Sequence, residues 1–247
     1  MLKIVYLIPV YNKERILNDT SNLIFKKFES NPTQFNIVFV ENDSEDNSYK
    51  VLENLSLNNS NISILRSPKG FGNALSKGFD YISKELHSNF DYLIITGADL
   101  PFGFTDLDFV LNNDNFIDQE IYIGSKMHKD SSIKRTPTRK IISGVFNRLL
   151  NLFFKVNFKD TQGSLIIDLN KTNIQLLKPI SSGFFATAEI CINAKDFGYR
   201  VREIPIELFE SDKDISTVKI FSDSKKVLVE LLRFRKHRKD KILDKTD

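Results

Sequence analysis

Short apolar runs alternate along the first half of the chain with stretches whose apolar residues recur every three or four positions. Leu2–Ile8, Phe35–Val40, Ile62–Leu65 and Tyr92–Thr96 are close to continuously apolar, as strands covered on both faces are. Helical periodicity follows each run: to about Phe28, through Leu52, from about Gly72 to Leu86, and near Asp106–Leu111. Strands alternating with helices predict right-handed crossovers and a mostly parallel sheet flanked by helices, an α/β fold. The second half predicts a strand near Ile121–Ser125, a basic loop, a helix over about Arg139–Lys155 and a strand near Ser164–Asp168. A helix over about Phe185–Phe197, a strand over Arg200–Leu208 and a terminal helix complete it. No internal repeat interrupts this order. Residues 1–220 therefore read as one domain, and residues 221–247 as a peripheral basic amphipathic helix with a tail that frays after about Lys236.

In such a sheet the loops that follow the strands line one rim, and ligands gather beyond the strands' carboxyl ends. The rim loops are Pro9-Val10-Tyr11-Asn12-Lys13-Glu14, Glu41-Asn42-Asp43-Ser44, Ser67-Pro68-Lys69-Gly70 and Gly97-Ala98-Asp99, all richer in polar and turn residues than a minimal connection requires. The last stands out because the apolar run Ile94-Ile95 leads through Thr96 to a carboxylate at Asp99. That position suits chemistry, although a cap for the helix starting near Phe104 would use the same residue type. Lys69-Gly70-Phe71-Gly72 opens a helix whose free N–H groups and positive end suit an anion, and its glycines equally suit a structural turn. The spacings of a P-loop and of a dinucleotide-binding fingerprint are absent, which disfavours nucleoside triphosphate hydrolysis and nicotinamide binding.

Composition narrows the class. With 41% hydrophobic residues among 247, the chain can bury a core of ordinary size. A single cysteine, Cys191, excludes an internal disulfide and a zinc cluster built on several thiolates, and fits a reducing compartment. No run approaches the roughly 20 apolar residues that span a bilayer, and Met1-Leu2-Lys3-Ile4 leads straight into a strand with no signal-peptide pattern, so a soluble or peripheral protein is expected. A formal charge of +3 gives no argument for a nucleic-acid partner. The basic residues crowd instead into Lys126–Lys140 and Lys225–Lys241, beside amphipathic segments. The first of these segments carries Ile141, Ile142, Val145, Phe146, Leu149, Leu150, Leu152, Phe153 and Phe154, a stripe wider than one core-facing side demands. Burial in the core, a dimer interface and contact with lipid all remain open for it.

Five pieces occur in an order that resembles the inverting nucleotide-sugar glycosyltransferases of the GT-A (Rossmann-like) fold. Within them the chain is most similar to the dolichyl-phosphate mannosyltransferase and polyprenyl-phosphate glycosyltransferase group. The pieces are Ile8-Pro9-Val10-Tyr11-Asn12-Lys13-Glu14; Val40-Glu41-Asn42-Asp43-Ser44-Glu45-Asp46; Lys69 to Phe79; Ala98-Asp99-Leu100; and Asp160-Thr161-Gln162-Gly163 followed by Glu189 and Gly198-Tyr199-Arg200-Val201. They span about residues 3–220.

The resemblance implies a pocket for the nucleoside at Pro9, Tyr11 and Glu14, with Val40, Glu41 and Asn42 also meeting the nucleotide and Lys69 and Gly70 facing its phosphates. It implies a divalent cation, Mg²⁺ or Mn²⁺, at Ala98-Asp99. The family's metal motif has two aspartates where this chain has Gly97 and Asp99, so Asp99 is the only metal ligand expected; Mg²⁺ usually takes one or two protein carboxylates, with phosphates and waters filling its other sites. For a phosphate acceptor the resemblance implies cationic contacts at Lys126 and at Arg139 or Lys140. It places Asp160 and Gln162 near the sugar, and Lys213 and Lys219 over the donor phosphates. Glu189 reads as a residue of a solvated helix face. The partners implied are a nucleotide diphosphate sugar, a polyprenyl or dolichyl phosphate and a membrane surface at its cytoplasmic face, with or without an anchoring subunit. Two other readings stay open: a catalytically silent sugar-nucleotide or lipid-binding homologue, and a transferase acting on a glycan hydroxyl with Asp160 as general base.

Overall fold

A computed structural model describes residues 2–29, 33–112, 119–133, 137–208 and 220–243. Seven strands among them form one sheet: β1 (Lys3–Val10), β2 (Gln34–Glu41), β3 (Ile62–Arg66), β4 (Tyr92–Ile95), β5 (Ile121–Gly124), β6 (Leu165–Asp168) and β7 (Val201–Ile204), in the order β3-β2-β1-β4-β6-β5-β7. The helices are α1 (Leu17–Glu29), α2 (Ser48–Asn58), α3 (Phe71–Tyr81), α4 (Thr105–Leu111), α5 (Pro137–Phe154), α6 (Ile174–Leu177), α7 (Ala186–Asp196) and α8 (Ile220–Leu243). This is the α/β, mostly parallel arrangement of the GT-A fold.

The near-continuous apolar runs follow from a sheet covered on both faces. Alternate residues point to opposite sides. Val5, Leu7, Val38, Val40, Leu93 and Ile95 face a cluster completed by Ala74, Leu75 and Phe79 of α3 and Ile190, Cys191 and Ala194 of α7. Ile4, Tyr6, Ile8, Val10, Ile37, Phe39 and Ile94 face the other cluster, with Ile24 and Phe28 of α1, Leu52 of α2 and Leu107 of α4. A third cluster lies on the outer side of α7, where Phe185, Ala188 and Ile192 meet Leu150 and Phe154 of α5 and Leu231 and Phe234 of α8. With apolar neighbours on both sides, α7 is buried almost all round.

Several boundaries differ from those expected. β6 runs antiparallel to β4 and β5, with Ile94 opposite Ile166 and Tyr122 opposite the same residue. Alternation alone implied a crossover before this strand, but the chain doubles back after α5, where the Asn147 amide donates to the Lys159 carbonyl, and β6 then enters from the rim. β7 ends at Ile204 because Pro205 has no N–H for a ladder; beyond it, among the described residues, a bridge between Ser132 and Glu207 follows. The expected helix over Gly72–Leu86 is α3 followed by a wider turn, Ile82–Leu86, and a tight one, His87–Asn89. The short helix α6 had no periodic signal in its four residues. α8 continues to Leu243, past the point where fraying was expected. Among the described residues no helix is long and apolar enough to cross a membrane.

Candidate active site

The carboxyl ends of β1 to β4 stand side by side, with Val10 beside Glu41, Glu41 beside Arg66 and Leu7 beside Ile95. Pro9 and Val40 are buried within their strands. The loops after β1 and β2 are stitched together by polar groups from both. Asn12 adopts a left-handed conformation (φ 53°), which asparagine tolerates better than most residues. Its N–H donates to Ser44 Oγ at 3.1 Å and its Oδ1 accepts from the Glu45 N–H at 2.8 Å. The Lys13 N–H donates to Ser48 Oγ at 2.8 Å and the Glu14 N–H to Asp46 Oδ2 at 3.1 Å, while Glu14 Oε2 accepts from the Asn47 N–H at 2.8 Å. Glu14 thus helps to shape the rim.

Glu41 and Asn42, the expected nucleotide contacts, are buried. Glu41 accepts from the Ser44 N–H at 2.6 Å and from Arg66 Nε at 3.4 Å, and Arg66 lies over the Tyr49 ring. Asn42 Oδ1 accepts from the Gly70 N–H at 2.6 Å. These two residues join the loops after β2 and β3. Above them, the Tyr11 hydroxyl donates to Glu45 Oε1 at 3.0 Å, and Lys69 Nζ stands 3.0 Å from the same oxygen and 4.5 Å from the Tyr11 ring centroid. The hydrogen bonds from Lys69 and Tyr11 hold the Glu45 carboxyl below its ordinary range.

Asp99 is exposed at this rim, in a turn closed by the Leu100 N–H donating to the Gly97 carbonyl at 3.0 Å. Ala98 is buried, and its carbonyl accepts from the Thr20 hydroxyl. Asp99 Oδ1 lies 2.6 Å from the place that a Cβ on Gly97 would take. Asp99 therefore leans into the room that a second acidic side chain at position 97 would share. Among the described residues no three His, Cys, Asp or Glu side chains converge. The Asp99 carboxylate, exposed on the rim, is a donor that fits a hard cation completed by phosphate oxygens and waters.

On the other side of β4, the ends of β5 and β6 meet so closely that a Cβ on Gly163 would lie 1.6 Å from the Gly124 carbonyl oxygen. Lys126 is drawn inward, its side chain 9% exposed, with Nζ 3.3 Å from Asp160 Oδ2. Its ammonium also donates to the Gln162 carbonyl and lies 5.4 Å from the Phe102 ring centroid. Asp160 is 3% exposed. Oδ2 accepts from the Lys126 N–H at 2.9 Å and Oδ1 from the Gln162 N–H at 2.9 Å. Glu203 of β7 fixes this loop from behind by accepting from the Asp160 N–H at 2.9 Å. The exposed Gln162 side chain donates to the Phe184 carbonyl at 3.3 Å. Arg139 and Lys140 fall in the first turns of α5, with side chains outside the described residues, and Lys213 and Lys219 lie outside the described residues altogether.

The start of α3 is occupied by protein. The Gly72 N–H donates to the Ser182 carbonyl at 2.8 Å, and a Cβ on Gly72 would lie 1.9 Å from the Ser181 carbonyl oxygen. Glu189 corrects the expectation of a solvated face: it is 1% exposed, and its carboxylate accepts from the N–H groups of Ile180 at 2.7 Å and Ser181 at 3.0 Å. Burial pushes its carboxyl above the ordinary range. Glu230 of α8 holds the next residues, accepting from the Gly183 N–H at 2.7 Å. Sequence reasoning gave no role to Glu45, Glu203 or Glu230; Glu230 had a visible signal as the one acid between Lys225 and Lys239.

Comparison with known proteins bears on the fold and the family. The chain is 26% identical over 216 residues to the dolichyl-phosphate beta-glucosyltransferase ALG5A of Trichomonas vaginalis, covering 83% of this chain and 65% of that one. It is 27% identical over 168 residues to the dolichyl-phosphate beta-glucosyltransferase ALG5C of the same organism, covering 64% of this chain and 49% of that one. It thus spans about half to two thirds of the length of these relatives. Among solved structures, glucosyl-3-phosphoglycerate synthase from Mycobacterium tuberculosis, in complex with Mn²⁺, UDP-glucose and phosphoglyceric acid, has the same fold at a TM-score of 0.65 and 11% identity, covering 95% of this chain and 79% of that one. The pattern of the glycosyl transferase family 2 domain matches residues 6–171, more than half of the chain. This protein belongs to glycosyl transferase family 2.

Proposed function

We propose that the chain is an inverting glycosyltransferase that moves glucose from UDP-glucose to a polyprenyl or dolichyl phosphate. The observation that carries this reading is the position of Asp99, an exposed carboxylate at the rim beside the stitched loops that hold Tyr11, Glu41 and Asn42. The dolichyl-phosphate glucosyltransferases among its relatives, and UDP-glucose with Mn²⁺ in the solved structure of similar fold, support glucose over mannose and UDP over GDP.

Tyr11 would pack on the nucleoside, with Lys69 displaced from the ring face that it covers. Asp99 would hold Mg²⁺ or Mn²⁺, which supplies positive charge to the departing diphosphate. A phosphate monoester has a second pKa of about 6 and arrives largely ionised, so no protein base is required. Its oxygen bonds to the anomeric carbon as the bond from that carbon to the diphosphate breaks, and a single displacement from the opposite face inverts the centre. Orientation of acceptor and donor in line is the protein's main contribution. Because Asp160 neutralises Lys126, the net positive charge for the acceptor falls to Arg139 and Lys140 in the first turns of α5. The isoprenoid chain stays in the bilayer, so the protein would work as a peripheral protein on the cytoplasmic face, alone or with an anchoring subunit.

Gly97 in place of a second acidic residue and the Lys126–Asp160 pair favour a second reading, a homologue that binds sugar nucleotide without transfer. Radiolabelled UDP-glucose and GDP-mannose, each incubated with polyprenyl phosphate and Mn²⁺, separate the two. A lipid-extractable product with UDP-glucose is expected; nucleotide binding with no product from either donor would leave the silent reading standing.

A further inference from the structure

Between the carboxyl ends of α5 and α7 and the second half of α8 lies an open cleft of about 580 Å³, lined by Phe153, Phe154, Lys155, Lys195, Asp196 and Arg238. α7 starts beside the rim and its eleven residues span about 16 Å to Asp196, so the cleft is separate from the candidate active site. Three cations line it against one carboxylate. Arg238 takes that carboxylate in a two-pronged pair, with both N–O distances 2.5 Å. Lys195 donates to the Lys155 carbonyl, and both lysine side chains are exposed; among the described residues neither is paired with a carboxylate. Arg235 lies 4.4 Å from the centroid of Phe153, which adds a further cation at the cleft's edge.

The helices that build the cleft also present uncovered aliphatic side chains. Val145 and Leu152 fall on one stripe of α5, and Leu152 is 71% exposed. Leu228, Leu232 and Arg235 follow one flank of α8 at helical spacing, and Arg235 reaches α5 through Phe153, so this flank adjoins α5. Apolar side chains beside unneutralised lysines match the boundary of an anionic bilayer, where methyl groups enter the acyl region and ammonium groups meet phosphates. A second copy of the chain is a poor occupant, because an isologous interface would bring these cations against themselves.

We propose that α5 and α8 form a membrane-docking face, and that their cleft takes the phosphate of an anionic phospholipid headgroup through Lys155 and Lys195. This rests on the proposed function only in that the acceptor is carried in a bilayer. Vesicle sedimentation of the full chain tests it, with UDP titration as a separate readout for the donor site. Wild type should bind phosphatidylcholine vesicles containing phosphatidylglycerol far better than pure phosphatidylcholine, and high salt should release it. Lys155→Gln with Lys195→Gln should weaken that binding roughly twenty-five-fold, at about five-fold for each lysine. The matched pair Lys50→Gln with Lys77→Gln, on exposed positions of α2 and α3, should bind like wild type. UDP affinity should be unchanged in all of them. Equal binding to the two vesicle types, wild-type binding by the Lys155/Lys195 variant, or a concentration-dependent dimer without vesicle binding would each overturn the proposal. Loss of UDP binding in wild type would instead count against the donor reading alone.

Discussion

Asp99 and Gly97 contend for the same small volume, which makes the turn after β4 sensitive to a single side chain. The obstacle to a Cβ at position 97 is the tip of an exposed carboxylate 2.6 Å away, which can rotate aside while the backbone stays in place. Gly97→Asp should therefore fold and offer a second carboxylate to the cation. If that adds about 1.4 kcal/mol, the Mn²⁺ concentration for half-maximal transfer should fall roughly tenfold; an unchanged requirement would remove Asp99 as the ligand. Asp106, also after β4, behaves differently because it is buried. Burial raises its carboxyl above the ordinary range, and Oδ1 accepts from the Leu107 N–H at 2.7 Å. A proton held more tightly in the folded state favours folding at low pH, and stability falls as the pH climbs from the unfolded value through the raised one. Asp106→Asn keeps the acceptor and never ionises. Thermal melts should show the variant more stable than wild type at neutral pH, with the advantage narrowing toward about pH 4.

The segment over residues 180–185 shows what helical and strand periodicity can and cannot report. The strands of both sheet faces and the helices that cover them were legible from spacing, because burial on both faces leaves the strand a near-continuous apolar run. Asp99 was legible as a polar residue terminating such a run. Glu189 was not, since its burial depends on the backbone of Ile180 and Ser181 returning to it. Likewise, Lys126 was expected to offer its charge to an acceptor, and its pairing was not legible because Asp160 is distant in sequence. The same strap explains why Gly72 is glycine: a Cβ there meets a backbone carbonyl that two carboxylates hold in place. Gly72→Ala should destabilise the protein by about 1–3 kcal/mol, as overpacking does, and weaken UDP binding by disturbing the loop that holds Lys69 and Gly70. Gly144, inside α5, meets nothing within 4 Å, so Gly144→Ala should stabilise by roughly 0.5–1 kcal/mol through helix propensity alone. Chemical denaturation of the two variants checks both signs.

At the scale of the molecule, the expected boundary near residue 220 poses the question of whether α8 is an appendage or part of the domain. Its packing argues for integration. Phe234 sits 5.6 Å from the Phe154 ring centroid and 5.7 Å from that of Phe185, joining α5, α7 and α8 in one aromatic cluster. Glu230, one turn earlier, accepts from the Ser182 hydroxyl and from the N–H groups of Gly183 and Phe185, and this segment in turn covers the start of α3 at the rim. Charge patterning could reveal the amphipathic helix but not this seat, because the apolar partners come from helices widely separated along the chain. Truncating a buried Phe to Ala costs about 3–5 kcal/mol, a large share of the roughly 5–15 kcal/mol that holds a typical domain together. If α8 is integral, Phe234→Ala should lower a single cooperative melting transition and weaken UDP binding with it, while Leu232→Ala, at a half-exposed position, should leave both close to wild type. A main transition unchanged in temperature, accompanied by early loss of helical signal from α8 alone, would make that helix a separable appendage and break the link from the third core cluster to the rim.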